Sequence, residues 1–112
     1  MPDDVKNEFS AVRLQHAREC LSDAKTLFEK NSYKSAANRA YYTVFHAMRA
    51  VLALDGIDMK HHSGVIAEFR RRYIKTSVFP DTMSDMISAL SNIRTDSDYD
   101  DLFIAEKEDV AE

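Results

Sequence analysis

The chain has few of the residues that interrupt regular structure, with only two glycines, two prolines and one cysteine among 112 residues. Sandwiches and barrels need many turns rich in glycine and proline, so this shortage argues against both architectures. Ala, Leu, Met, Glu, Lys and Arg are plentiful and favour helices. The composition therefore predicts an all-α fold, and the length predicts a single domain spanning residues 1–112.

Signals for export and membrane insertion are also missing. Residues 1–4 have neither the basic nor the apolar part of a secretory leader. No segment approaches the roughly 18 consecutive apolar residues of a membrane-spanning helix. We therefore expect a cytoplasmic protein that does not bind membranes.

Signs of metal or redox chemistry are weak. Cys20 stands alone at an apolar position of a helical repeat, which indicates a reduced core thiol. His61 and His62 lie near Asp55 and Asp58, but adjacent histidines in a loop do not give the i,i+4 pair of a helical metal site. We therefore predict no metal and no other cofactor.

The net charge of −4 conceals an uneven distribution. Residues 96–112 contain eight acids and one lysine, which gives −7, whereas residues 1–95 contain 14 bases and 11 acids, which gives +3. A nucleic acid would bind the basic body, and the acidic tail would repel it or cover the same surface. Two solvated faces without a ligand would give the same distribution.

Apolar spacings of three and four residues predict four helices. The first runs from about residue 4 to 30, and the second from about 33 to 54, with Gly56 after it as a left-handed cap. Ser63 is the expected N-cap of a third helix that ends near Thr76, and Asp81 is the expected N-cap of the fourth. Residues 96–101 are predicted to form a loop before a short fifth helix over 102–112. The predicted fold is an antiparallel up-and-down four-helix bundle with that short C-terminal addition.

One face of the second helix is polar. At 100° per residue, five of its side chains fall in a stripe roughly 100° wide, away from the apolar face. They are Asn38, Arg39, Tyr42, His46 and Arg49. Arg39 and His46 are seven residues apart, so their Cα atoms lie about 10.5 Å apart on one side of the helix.

This stripe has the residue types that metal-independent RNA cleavage requires. Histidine can transfer protons near neutral pH, and the planar donors of arginine can stabilise negative charge on a phosphodiester. Arg39 and His46 are therefore the candidate catalytic residues, with Asn38, Tyr42 and Arg49 as candidate binding residues. A solvated helix face without catalytic function would show the same periodicity.

The segment Asn38-Arg39-Ala40-Tyr41-Tyr42-Thr43-Val44-Phe45-His46-Ala47 resembles a signature of the HEPN family, in a subgroup of small prokaryotic proteins. Its setting is similar too. Ala17-x-x-x-Leu21-x-x-Ala24 precedes it, and Leu54-x-Gly56, His62-Ser63-Gly64-Val65, Arg94 and Asp98-Tyr99-Asp100 follow in that order. The resemblance covers nearly the whole chain.

The resemblance implies a bundle of four or five helices that forms a homodimer. It also implies a ribonuclease site in which four to six residues separate an arginine from a histidine, and six separate Arg39 from His46. The implied function is a toxin-like or RNA-associated protein, such as the endoribonuclease of a toxin-antitoxin system with a nucleotidyltransferase antitoxin as partner. The alternative is a non-catalytic module that binds a nucleotide or a protein.

The last motif, Arg94 with Asp98-Tyr99-Asp100, is predicted to be structural or regulatory. An aromatic residue between two acids can pack inward and place its neighbouring carboxylates near the basic body. Arg94 or Arg39 is the expected contact of those carboxylates.

Overall fold

The computed structural model describes the backbone of residues 1–99 and the side chains of residues 1–95. It contains four helices, and residues 1–99 contain no strand. They are α1 (Asp3–Glu29), α2 (Tyr33–Leu54), α3 (His62–Phe69) and α4 (Asp81–Tyr99). A single π-helical turn, Arg70–Ile74, continues α3. The predicted all-α fold is confirmed, and the up-and-down arrangement stays a prediction. The expected fifth helix lies outside the described residues.

The first two helices end in the same way. After α1, Asn31 has a φ of 64°, and after α2, Gly56 has a φ of 79°. At the end of α2, the N–H of Gly56 donates to the carbonyl of Ala53, and the N–H of Ile57 donates to that of Leu52. These two bonds form a Schellman motif, which satisfies carbonyls that the helix itself leaves open. The left-handed cap predicted at Gly56 is confirmed.

Three predicted boundaries are wrong. The α3 helix begins at His62, so Ser63 is not its N-cap, and the preceding His61 makes no capping bond through its side chain. Asp81 is the first residue of α4 and not the residue before it. The loop expected from residue 96 is also wrong, because α4 continues to Tyr99. No glycine or proline occurs between 81 and 99, so nothing in the local sequence stops the helix there.

The core is organised around α2, which contacts α1, α3 and α4. The largest buried side chains of the core come from α2, α3 and α4. They are Tyr41, Leu52, Val65, Phe69 and Ile87. These residues form one cluster, which Met48 and Phe45 extend along α2. Tyr41 is buried, whereas its neighbour Tyr42 is half-buried.

The apolar stripe of α1 is buried only in part. Ala17, Cys20 and Ala24 are buried, whereas Val12 is 45% exposed and Leu21 is 42% exposed. The small buried side chains let the α1 backbone pack close to α2, and the larger ones remain outside that contact. The helix predicted from about residue 4 to 30 is confirmed, although several of its large apolar side chains remain exposed. None of the helices within residues 1–99 is long and apolar enough to cross a membrane.

Candidate functional site

The polar stripe of α2 forms a continuous set of contacts. The Nε and Nη2 atoms of Arg39 donate hydrogen bonds to Oδ1 of Asn38, at 3.1 and 2.6 Å. The Arg39 guanidinium lies 5.1 Å from the centre of the Tyr42 ring. The Tyr42 ring in turn lies 6.1 Å from the His46 ring, measured between centroids. The structure therefore brings Arg39, Tyr42 and His46 together on one face.

Helix α1 packs beside this face and adds two residues that sequence reasoning missed. The His16 ring meets the His46 ring edge-on at a centroid distance of 5.4 Å. Arg13, one turn earlier on α1, approaches the same region and reaches Asp58. Because of this packing, His46 is half-buried. The i,i+3 spacing of Arg13 and His16 on an amphipathic helix was the available signal.

Asp58 is the carboxylate of this region, and two arginines share it. Its Oδ1 atom accepts hydrogen bonds from Arg13 at 3.3 Å and from Arg49 at 2.9 Å. Burial alone would raise the pKa of Asp58, but the hydrogen bonds from the two arginines outweigh it and hold the pKa below its ordinary value. One carboxylate against two guanidinium groups leaves this side of α2 positively charged.

That positive charge acts on His46. Burial lowers the pKa of His46 below its ordinary value, and the nearby His16, Arg49, Arg13 and Arg39 lower it further, in that order. Its Nδ1 atom is buried and has no hydrogen-bond partner among the described residues. The imidazole is therefore mainly neutral at neutral pH and can accept a proton there.

A cleft lies where α2 meets α3 and α4. Its volume is about 610 Å³, and its lining includes Tyr41, His62 and Arg94. The Tyr41 hydroxyl lies 2.7 Å from Nδ1 of His62, and the His62 ring stacks on Phe45 at a centroid distance of 4.2 Å. The Arg94 guanidinium lies 5.0 Å from the centre of the Tyr41 ring.

Sequence reasoning did not place His62 in a site, because it lies 21 residues from Tyr41 in a segment expected to be a loop. Arg94 was singled out, and the structure places it in the cleft and not on the stripe of α2. The side chains of Asp98 and Tyr99 and all of Asp100 lie outside the described residues. Their predicted contacts with Arg94 or Arg39 therefore stay predictions.

The structure also describes Cys20 and the candidate metal ligands, whose sequence signals were weak. Cys20 is a free thiol that is 7% exposed, which confirms the prediction of a core position. Burial raises the pKa of the Cys20 thiol, and Arg39 offsets part of that rise. In residues 1–99, no three His, Cys, Asp or Glu side chains are grouped so that they could hold a metal ion.

Comparison with known proteins gives several relatives. A protein of Thermotoga maritima named "UPF0332 protein" is 36% identical over 96 residues, which cover 86% of this chain and 73% of the relative. Two proteins of Methanocaldococcus jannaschii named "Putative toxin" are 34% and 30% identical over 96 residues, again 86% of this chain. Those alignments cover 71% and 65% of the two relatives. No solved structure matches the chain significantly.

Over residues 1–99 the helices define a small all-α protein, in which histidine and arginine side chains of α1 and α2 lie together along the polar face of α2. The family model of the HEPN domain matches residues 10–112. The chain therefore belongs to the HEPN domain family, and the resemblance seen in the signature around Arg39 and His46 is confirmed.

Proposed function

We propose that this HEPN protein is a toxin-like endoribonuclease that cleaves RNA without a metal ion. The observation that carries the proposal is the half-buried imidazole of His46, which shares one face of α2 with Arg39 and Tyr42. Its pKa is lowered by burial and then by the charges of His16, Arg49, Arg13 and Arg39. A neutral imidazole can accept a proton, and the arginines supply the positive charge that a phosphodiester requires. The names of the two M. jannaschii relatives support the toxin-like role.

In the proposed reaction, the 2′-hydroxyl oxygen attacks the neighbouring phosphorus and the bond from phosphorus to the 5′-oxygen breaks. His46 takes the proton of the 2′-hydroxyl through Nε2, since Nδ1 is buried. Arg39 holds the phosphate while negative charge develops on its oxygens. Tyr42 stacks on a base or orients the phosphate. The departing 5′-oxygen takes a proton from water or a second acid, and the products are a cyclic phosphate and a 5′-hydroxyl.

The test is cleavage of structured and unstructured RNA by the purified chain in the presence of a chelator. His46→Ala is expected to reduce the rate by about 10² to 10⁴, because it removes proton transfer. Arg39→Ala is expected to weaken both RNA binding and turnover. Arg18→Ala is a suitable control because Arg18 is exposed on α1. Thermal unfolding of each variant would show that the half-buried substitutions leave the fold intact.

Two results would contradict this proposal. Cleavage that persists in His46→Ala would eliminate the mechanism. An absence of cleavage by the unsubstituted chain, with binding of a nucleotide or a protein retained, would favour the non-catalytic module. The buried Nδ1 of His46, which has no hydrogen-bond partner among the described residues, also fits this second function, since a histidine held only for packing would look the same.

We further propose that the protein is an antiparallel bundle that forms a homodimer and pairs with a nucleotidyltransferase antitoxin. Exposed apolar side chains on α1, among them Phe9, Val12, Leu14 and Leu21, support a protein interface. A stable dimer should bury over about 1,000 Å², and the two α2 stripes would then line one RNA cleft. Light scattering that gives a monomer at tens of micromolar would contradict the dimer. A nucleotidyltransferase encoded beside this gene would support the partner.

A further inference from the structure

Helix α1 places a second histidine against His46, and the cleavage proposed above assigns it no role. The rings of His16 and His46 meet edge-on, with their centroids 5.4 Å apart and their planes at 77°. Helix α1 packs on α2, and the small buried side chains of Ala17 and Cys20 let the two backbones approach closely. A short imidazole side chain of α1 can therefore reach one of α2.

The two rings differ in their exposure to solvent. His16 is exposed, whereas His46 is half-buried. Burial disfavours a charged imidazole, so the exposed ring holds a proton at lower cost than the half-buried one. Water also reaches His16 directly and can return its proton after each turnover.

Two imidazoles this close do not readily carry two positive charges. Burial lowers the pKa of His46, and the charge of His16 is the next largest cause of that shift. A single proton on the pair is therefore favoured, and the half-buried position of His46 leaves that proton on His16. The pair thus has one ring that can accept a proton and one that can donate it, as acid–base catalysis requires.

The other charged groups that act on His46 cannot replace His16 as a proton donor. They are Arg13 of α1 and Arg39 and Arg49 of α2. An arginine side chain stays protonated in proteins, so these groups supply positive charge without transferring a proton. Asp58 accepts hydrogen bonds from Arg13 and Arg49, and these bonds keep its pKa below the ordinary value. Asp58 is therefore ionised near neutral pH and has no proton to donate.

The distance between the two rings suits the cleavage of one phosphodiester. The attacking and leaving oxygens of an in-line displacement lie on opposite sides of phosphorus, so two different groups must serve them. Each group needs to lie within about 2.6 to 3.2 Å of its oxygen. Because both oxygens are bound to the same phosphorus, rings with centroids 5.4 Å apart can each reach one of them.

We propose that His16 is the general acid of the cleavage and donates a proton to the departing 5′-oxygen. This role rests on the proposed function and adds the second catalytic residue that the reaction requires. The 2′-oxygen forms a bond to phosphorus, and its proton passes to Nε2 of His46. The bond from phosphorus to the 5′-oxygen breaks, and that oxygen takes the proton of His16. Water then returns a proton to His16 and removes one from His46, which restores the pair.

The experiment uses 2′-O-methyl oligoribonucleotides with one free 2′-hydroxyl, prepared with each of the four bases at that position. One set has the ordinary 5′-oxygen as the leaving atom, and the other has sulfur in its place. A thiol is far more acidic than an alcohol, so the sulfur leaves without being protonated and needs no general acid. His16→Ala should slow cleavage of the oxygen substrate by about 10² to 10⁴ and of the sulfur substrate by less than about tenfold. His46→Ala removes the base and should slow both.

His61→Ala is the matched control, because it removes another exposed histidine that is not among the groups acting on His46. It should leave both rates unchanged. The pH profile gives a second readout. The unsubstituted chain should cleave the oxygen substrate fastest at an intermediate pH, since one ring must be neutral while the other is protonated. His16→Ala should lose the decline on the alkaline side.

The outcomes distinguish this role from the proposed function. Equal slowing of both substrates by His16→Ala would overturn the role, because His16 would then only position His46, and unchanged cleavage of both would overturn it too. In either case an inactive His46→Ala would leave cleavage at His46 standing. Cleavage that persists in His46→Ala, or no cleavage by the unsubstituted chain, would overturn the proposed function and this role together. If His16→Ala unfolds, His16→Gln repeats the comparison with a side chain that cannot transfer a proton.

Discussion

The Tyr41 hydroxyl lies 2.7 Å from Nδ1 of His62, although the two residues are 21 positions apart in the sequence. This contact joins the centre of α2 to the first residue of α3. It positions an imidazole in the cleft, and it gives a buried hydroxyl a hydrogen-bond partner.

The first prediction concerns that bond. Tyr41→Phe keeps the buried ring and removes the hydroxyl, so it should lower the free energy of unfolding by about 1 kcal/mol. Urea denaturation measures the change. Tyr33→Phe is the control, since the Tyr33 hydroxyl bonds Asn31 at the surface and its loss should cost less than about 0.5 kcal/mol. Equal effects in both variants would show that the bond to His62 contributes no more than a surface contact.

A second prediction compares adjacent residues of α4. Ile87 is 2% exposed, whereas Met86 is 37% exposed. Ile87→Ala should destabilise the protein by about 2 to 5 kcal/mol, because it leaves a cavity in the core. Met86→Ala should cost less than about 1 kcal/mol. Denaturant midpoints of the two variants test the orientation of α4, and the reverse order would mean that the helix is rotated.

The third prediction concerns the two glycines. Gly56 has a φ of 79°, and a Cβ added there would lie 3.2 Å from Cε of Lys6. Gly56→Ala should therefore cost about 1 to 2 kcal/mol, the usual strain of a left-handed L-residue.

Gly64 provides the matched comparison, because it lies within α3 and an added Cβ would meet only the flexible end of Met59. Alanine is also a better helix former by about 1 kcal/mol. Gly64→Ala should therefore be less destabilising than Gly56→Ala in thermal unfolding. A larger loss at Gly64 would show that Met59 cannot move away.

The fourth prediction is a pH dependence due to His46. Its folded-state pKa lies below the ordinary value of 6.5, so the unfolded chain binds a proton more readily. Stability from the neutral imidazole is therefore fully present above pH 6.5 and is lost as the pH falls from 6.5 towards the folded-state pKa. The groups responsible, after burial, are His16, Arg49, Arg13 and Arg39.

Unfolding free energies measured between about pH 5 and 7 should therefore fall on acidification, and less steeply in His46→Gln. His61→Gln is the control, since it removes an exposed histidine that is not among the groups that lower the pKa of His46. An unchanged slope in His46→Gln would mean that the acid sensitivity arises from another group.

Local sequence was sufficient for the helices and for the family. The predicted bounds of α2, 33 to 54, agree with the structure, because the spacing of Ala36, Tyr41, Met48 and Leu52 follows the helical repeat. The same helical repeat predicted that Arg39, Tyr42 and His46 share one face. The contacts between their side chains agree with this prediction. Their role in catalysis stays a prediction.

Boundaries were harder to predict than helices. Capping preferences suggested Ser63 and Asp81 as the N-caps of α3 and α4, but both residues lie inside their helices. The choice among neighbouring start positions depends on small energies, which tertiary packing can outweigh. The acidic run after Arg94 suggested a loop, whereas α4 extends to Tyr99.

What the sequence determined by itself is the presence of helices α1 to α4, the polar face of α2 and membership of the HEPN family, because each depends on neighbouring residues or on a continuous pattern. Only the tertiary structure decided that α1 brings His16 and Arg13 beside His46, and that Tyr41, His62, Arg70 and Arg94 surround one cleft. These residues come from different helices with no common period. Their proximity is set by how the helices pack around the core, which no local spacing encodes.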